Sequence, residues 1–306
     1  NHDDHADRME ILMHGFDTHD THHAISAYSA DASGAFYLLE GRFLHSQVET
    51  PYGPQRVNDG GAWRFDPKNF RLERYWALPV SAKMPYGVEI ERAGEYVPKR
   101  SRPTSGSEFV FSRHFPDEVQ GQFMTCNSIG FLGINFSSVR DDGSGFTGAL
   151  AGDLISSSDP NFRPVDLEFA PDGSLYFLDW HNALIGHMQH NARDPNRDHE
   201  RGRIYRVTYP SRSLVKPAKI AGASVPELLE TLKLPEYRSR YRTRRELRGH
   251  PARKVVPAVK AWVAKLDPKD PRYEHHLCEA MWATWSQNAP DSGLILACLN
   301  ARSPQA

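Results

Sequence analysis

Two stretches of the chain resemble each other, and their spacing restricts the fold more than any other feature. Residues 27–41 read AYSADASGAFYLLEG and residues 168–180 read EFAPDGSLYFLDW. Each predicts a strand, a tight polar turn holding a glycine, and an aromatic-rich strand ending at an acid, Glu40 or Asp179. Gly34 and Gly173 lie 139 residues apart, close to three units of about 45 residues, the period of propeller blades. The intervening sequence fits this period. Residues 61–66 and 71–76 predict a hairpin across Asp66-Pro67-Lys68-Asn69, and strands follow near 108–112, 122–127, 133–139 and 149–156. A third unit begins at Val165. The reading is an all-β propeller, partial in this chain and six-bladed when complete, followed by an all-α HEAT-like segment.

Charge marks the change between the two. Residues 211–306 hold 17 Lys and Arg against 9 Asp and Glu, whereas residues 1–210 hold 20 against 29. The same point separates glycine- and aromatic-rich alternating runs from leucine-spaced segments without internal glycine. The expected division is therefore 1–210 for the propeller portion and 211–306 for the helical repeats. Helices are expected over 226–234, 239–248, 254–266, 273–287 and 293–299, with Pro226 and Pro257 tolerated near helix starts. The arginine run of residues 238–248 reads as a solvated helix face or a docking surface for the acidic portion, not as a nucleic-acid site.

Composition removes several classes. No apolar run approaches the roughly 20 residues of a membrane helix, so any membrane association would lie outside this portion. Three cysteines, Cys126, Cys278 and Cys298, are too few and too scattered for a disulfide scaffold or paired zinc knuckles. No CxxCH occurs, so haem c is not attached here. The chain starts at Asn1 without a leader or initiator methionine and stops within a helical pattern. It reads as part of a longer protein.

Histidine is enriched: 15 residues, ten of them within 1–23 and 181–199. Meander topology puts the long loops 15–24, 41–60, 157–164 and 180–202 on one face. Asp20 and His22, in DTHH, read as a general base with its neighbouring acid, or as a loop histidine bonded to backbone. His187 and His190 would share one helical turn as a metal pair or part of an anion pocket, or would simply pack. Asp194, Asn196 and Asp198 alternate as in calcium loops, but His199 and Tyr205 occupy the positions an EF-hand gives to glycine and glutamate. Ca2+ would need another geometry. Asp179 could orient a histidine, bind a metal or cap loop amides. Arg56, Arg163 and Arg193 are candidates for carboxylate recognition.

The segments HGFDTHDTHHAISAYSADASGAFYLLEGRFLHSQVETPYGPQRVNDGGAWRFDP and SSSDPNFRPVDLEFAPDGSLYFLDWHNALIGHMQHNARDPNRDHERGRIYRVTY resemble the membrane-bound dehydrogenases of planctomycetes and verrucomicrobia, also described as PVC-type haem-binding CxxCH proteins. The likeness spans most of residues 14–290. More distantly the propeller is similar to soluble quinoprotein glucose and sorbosone dehydrogenases. Residues 77–107 are too few for the further blade this family has after Trp76, which points to omitted sequence. The resemblance implies a periplasmic or membrane-associated extracytoplasmic oxidoreductase. It would oxidise a sugar or polyol with pyrroloquinoline quinone (PQQ) and pass electrons to a c-type cytochrome domain. His22, Asp20 and His187 would be catalytic. Arg56, Arg163, Arg193, His190 and Asp179 would hold the cofactor. The alternative is a non-catalytic propeller–solenoid module binding glycans or proteins, and a third reading is a calcium-dependent lactonase-like hydrolase.

Overall fold

A computed structural model describes residues 27–40, 47–50, 52–56, 61–69, 71–77, 102–142, 145–184, 194–198 and 200–303. The chain divides into two compact units, Asn1–Asp31 with Ala35–Glu91, and Ala32–Gly34 with Arg92–Ala306.

The first unit holds β1 (Ala27–Ala30), β2 (Phe36–Glu40), β3 (Gln47–Thr50), β4 (Gly53–Arg56), β5 (Gly61–Asp66) and β6 (Arg71–Ala77). Four of them pair antiparallel in the order β1-β2-β5-β6, and β3-β4 form a separate hairpin. Trp63 and Phe65 of β5 are buried at alternate positions, as a half-buried strand requires.

In the second unit, β7 (Arg102–Phe109), β8 (Phe123–Ile129), β9 (Gly133–Asp142) and β10 (Gly145–Ser156) form a four-stranded meander. β11 (Pro164–Phe169), β12 (Leu175–Asp179) and β13 (Arg203–Val207) form a three-stranded sheet. β8, β9, β11 and β12 share one apolar core, with Met124, Ile134, Leu167, Leu175 and Phe177 buried in it. The two resembling segments do build the same local object. Gly34 and Gly173 both sit in left-handed backbone, with φ of 83° and 82°, a conformation that favours glycine. At Gly173 a Cβ would also meet Ser112 Oγ at 2.7 Å and Val215 Cγ2 at 2.9 Å.

The propeller expectation is corrected. The sheets are small, separate and antiparallel, none closes on itself among the described residues, and helices make up the rest. The architecture is mixed β and α, with no all-β propeller. The physical reason is that alternation and tight turns specify hairpins and meanders, which open sheets, sandwiches and barrels share. Closure needs packing between sheets, and a strand period does not encode that packing.

Five helices follow: α1 (Val225–Thr231), α2 (Tyr237–Gly249), α3 (Ala252–Val263), α4 (Tyr273–Trp285) and α5 (Ser292–Leu299). Ser224 and Glu227 cap α1, the Ser224 N–H donating to Glu227 Oε2 at 2.8 Å. Pro257 falls inside α3 rather than at its start, so the helix begins earlier than its proline suggests. Leu228, Leu247, Val259, Leu277 and Leu294 lie in a second core shared by α1 to α5.

α2 joins the sheets to the helices through charge. Arg238 Nε donates to Glu108 Oε2 on β7, and Arg242 donates to Glu168 Oε1 on β11 at 2.7 Å. Glu236, just before α2, receives Arg113 Nε at 2.7 Å. From the same helix Arg240 and Arg244 reach Glu279 of α4 at 3.0 and 2.8 Å. Glu108 is buried, and burial, the larger influence, raises its carboxyl above the usual range despite the nearby Arg238. An Arg238→Met variant leaves that carboxylate uncompensated. Urea unfolding at pH 8 should show a loss of about 3 kcal/mol. A carboxyl whose folded pKa is raised binds its proton more tightly when folded, so the loss should shrink as pH falls toward 5. A pH-independent loss would contradict this.

Candidate functional site

The site is built where β12 ends. Along β12, Leu175, Phe177 and Asp179 face the core, while Tyr176 and Leu178 face outward. The strand's two-residue period therefore delivers a carboxylate into a core position. Asp179 is 2% exposed. Its Oδ1 accepts from the backbone N–H of Arg163 at 2.7 Å and of His181 at 2.9 Å. One carboxylate oxygen thus holds the chain entering β11 and the chain leaving β12.

His181 has φ 53°, uncommon for a residue other than glycine although histidine is among the more tolerant types. The left-handed step turns the chain out of the strand. Asn182 then fixes the loop: its N–H donates to Asn161 O at 2.9 Å, its Nδ2 donates to Asp198 O at 3.0 Å, and its Oδ1 accepts from Leu184 N–H at 3.1 Å.

Arg163 completes this frame. Its Nε donates to Asn182 O at 2.9 Å, one terminal nitrogen donates to Ser128 O at the end of β8, and the other donates to Ala183 O at 3.2 Å. Burial lowers its guanidinium from the ordinary arginine range, opposed by Asp179 and Asp159. Arginine suits such a place because its planar fork satisfies several carbonyls at once.

Arg203 begins β13 directly opposite Asp179. Its guanidinium lies 3.6 Å from Asp159 Oδ2 and 3.8 Å from Asp179 Oδ2. It donates to Tyr205 Oη at 3.3 Å and contacts His181 Nε2 at 3.2 Å. A guanidinium only donates, so His181 Nε2 accepts and the imidazole proton sits on Nδ1. His181 Nδ1 and Asp179 Oδ2 are both buried and have no hydrogen-bond partner among the described residues. One is a donor and the other an acceptor. Beside them the Arg197 guanidinium stacks on Trp180, 4.6 Å from the ring centre.

Two of the predicted residues, Arg163 and Asp179, therefore meet, but as a frame. Arg163 spends its fork on three carbonyls, and Asp179 uses one oxygen as an amide cap. Arg56 lies on β4 in the other compact unit and donates to Gln47 Oε1 at 2.8 Å. Asp20, His22, His187, His190 and Arg193 lie outside the described residues. PQQ carries three carboxylates, and of the arginines expected to meet them Arg163 is engaged with three carbonyls and Arg56 lies in the other unit. The described residues do not fit that group. No group of three His, Cys, Asp or Glu among the described residues is arranged to hold a metal ion. Asp194 and Asp198 accept backbone N–H groups of their own turns.

Arg203, Asn182 and Asp159 carry much of this geometry without a role expected from sequence, whereas His181 falls on the face expected to carry the site. Their hint is the cross-strand register of β12 with β13. That register spans a long connection and cannot be counted from a hairpin turn.

A family model described as a domain of unknown function (DUF7133) matches residues 97–211. No curated protein and no solved structure matches the chain. The matched stretch contains every described residue of the site.

Replacing Arg163 with Ala should cost about 3–5 kcal/mol in urea unfolding, because three carbonyls at or near the core lose their donor. Hydrogen exchange should rise at the Trp180 and Asn182 amides. A loss under 1 kcal/mol would show that the frame is not needed.

Proposed function

We propose that Asp159, Asp179, Trp180, His181 and Arg203 form a binding site for a carbohydrate or polyol, and that the chain is the substrate-side portion of an extracytoplasmic oxidoreductase acting on such a compound. The observation that carries the binding half is that Asp179 Oδ2, ion-paired with Arg203, and His181 Nδ1 have no hydrogen-bond partner among the described residues. A hydroxyl both donates and accepts, so it can complement an acceptor on one of these residues and a donor on the other. Arg203 adds a further donor at the rim, and the half-buried Trp180 ring, with Arg197 against it, adds apolar surface. The oxidoreductase half is supported by the resemblance of the two long motifs to the dehydrogenase family.

Binding would use these groups in defined ways. Asp179 Oδ2 would accept the substrate hydroxyl proton in a hydrogen bond. His181 Nδ1–H would donate to the hydroxyl oxygen. Arg203 keeps the imidazole in the tautomer that can do so. Removal of an electron pair from the carbinol carbon requires an acceptor, and no described residue supplies one. The resemblance makes a c-type cytochrome the partner. The engagement of Arg163 and Asp179 Oδ1 with backbone favours a second reading, the non-catalytic glycan-binding module. No helix among the described residues is long and apolar enough to cross a membrane.

The test is calorimetric titration of the purified protein with a panel of hexoses, pentoses and polyols, beside reduction of an artificial dye by the same compounds. Saturable binding, weakened at least tenfold in a folded Asp179→Asn variant, together with dye reduction is the expected result. Binding without dye reduction would overturn the oxidoreductase half and leave the glycan-binding module. No binding would overturn the site.

A further inference from the structure

The helical portion carries a charge pattern that the polyol site does not use. Residues 249–266 hold Arg253, Lys254, Lys260 and Lys265 and no Asp or Glu. Most of this stretch is α3, whose buried side is Val255, Val259 and Trp262 in the helical core. A period of 3.6 residues leaves the four bases on the opposite side. All four are exposed, with Pro257 and Ala261 exposed between them. Arg253 and Lys260 are seven positions apart, about 10 Å along the helix axis. Lys260 meets Asp291 at 3.4 Å in an exposed pair. Arg253, Lys254 and Lys265 have no ion pair among the described residues. The carboxylates that touch α3 are engaged: Asp291 caps α5 and takes Lys260, and Glu230 of α1 takes Lys233 and the Trp262 indole.

We propose that this face of α3 docks the chain on the surface of an anionic lipid bilayer, by charge alone. A face with bases and no acid complements a negatively charged partner. Its chemistry then selects among such partners. Three of the four bases are Lys, which protein interfaces deplete, and Pro257 and Ala261 stand where a protein interface places aromatic or arginine anchors. No aromatic side chain stands on the face to stack nucleic-acid bases, and no Asn or Gln is present to read a groove edge. What remains is unpatterned attraction between clustered bases and a flat anionic surface, worth about fivefold in partition for each base near the headgroups.

The apolar side of α3 is committed to the core, so the helix does not sink it into the bilayer as an interfacial helix does. The attachment is therefore to the surface and not a span, and no helix among the described residues is long and apolar enough for one. It is also salt-labile. At about 1 M salt the Debye length falls to about 3 Å, shorter than the reach of a lysine side chain, and the attraction is lost. The docking face is independent of the polyol site and stands whether or not that site binds.

The experiment is co-sedimentation of the whole chain with vesicles of phosphatidylcholine alone, or mixed equally with phosphatidylglycerol. Binding should be confined to the mixed vesicles at about 0.01 M salt and disappear at about 1 M. A triple variant, Arg253→Gln with Lys254→Gln and Lys265→Gln, should lose about a hundredfold in partition. The single Lys254→Gln variant should lose about fivefold, which keeps the test decisive if the triple variant does not fold. A control with Arg140→Gln and Lys216→Gln, which removes exposed bases from outside the face, should bind as the wild type does. No binding to mixed vesicles, equal binding to phosphatidylcholine alone, undiminished binding by the folded face variants, or the same loss in the control would each overturn the proposal. Tighter binding to duplex DNA than to mixed vesicles at equal phosphate concentration would also overturn it and make the partner a nucleic acid.

Discussion

The second unit depends on one helix. α2 carries arginines on both of its flanks, and each flank meets carboxylates: buried Glu108 and exposed Glu168 from the sheets, buried Glu279 from α4. A helix period of 3.6 residues turns the run YRSRYRTRRELR into two charged faces. Arg238 and Arg242 point to the strands, and Arg240 and Arg244 point to α4. Tyr237 lies against Arg240 and Arg244, and Tyr241 against Arg238 and Arg245. Burying these charges has a large desolvation cost, which is why the pairs come with additional acceptors: Leu234 O and Pro235 O for Arg240, and Phe169 O for Arg242.

This junction also bears on the site. Glu168 and Phe169 lie in β11, and β11 is hydrogen-bonded to β12, whose last residue is Asp179. The connection from β13 back toward the helices is fixed as well. His114 takes the Tyr209 N–H on Nε2 at 2.9 Å and contacts Ser213 O through Nδ1 at 3.1 Å. That end of the sheet is therefore held from both sides, while Asp179, His181 and Arg203 lie at the opposite end, where Arg163 and Asn182 make the frame.

Local structure was largely legible in the sequence. β5, β11 and all five helices fall within a few residues of positions read from alternation, glycine turns and helical spacing, because those cues act over a few neighbours. The arginine run also met carboxylates, as the opposite charge of the two portions suggests. The higher arrangement was not legible. A repeat of strand–turn–strand predicts meanders, and the step to a closed ring failed because ring closure depends on sheet-to-sheet packing. At the site, Asp179 and Arg163 were readable as chemically capable residues, yet their roles were not. Whether an arginine grips a ligand or three carbonyls depends on Ser128, Asn182 and Ala183, which come from distant parts of the chain. Arg203 was missed for the same reason: its partner lies across a strand pair joined by a long connection.

Polyol binding at this site needs His181 to carry its proton on Nδ1 and Asp179 Oδ2 to keep a free hydrogen-bonding capacity. Nitrogen-15 NMR of the histidine rings at neutral pH tests this directly. It should show His181 as the neutral Nδ1–H tautomer, with that resonance shifting when a polyol or sugar is added and unmoved by salt of equal osmolality. A His181 ring protonated on Nε2, or an Nδ1–H resonance indifferent to every polyol, would contradict it.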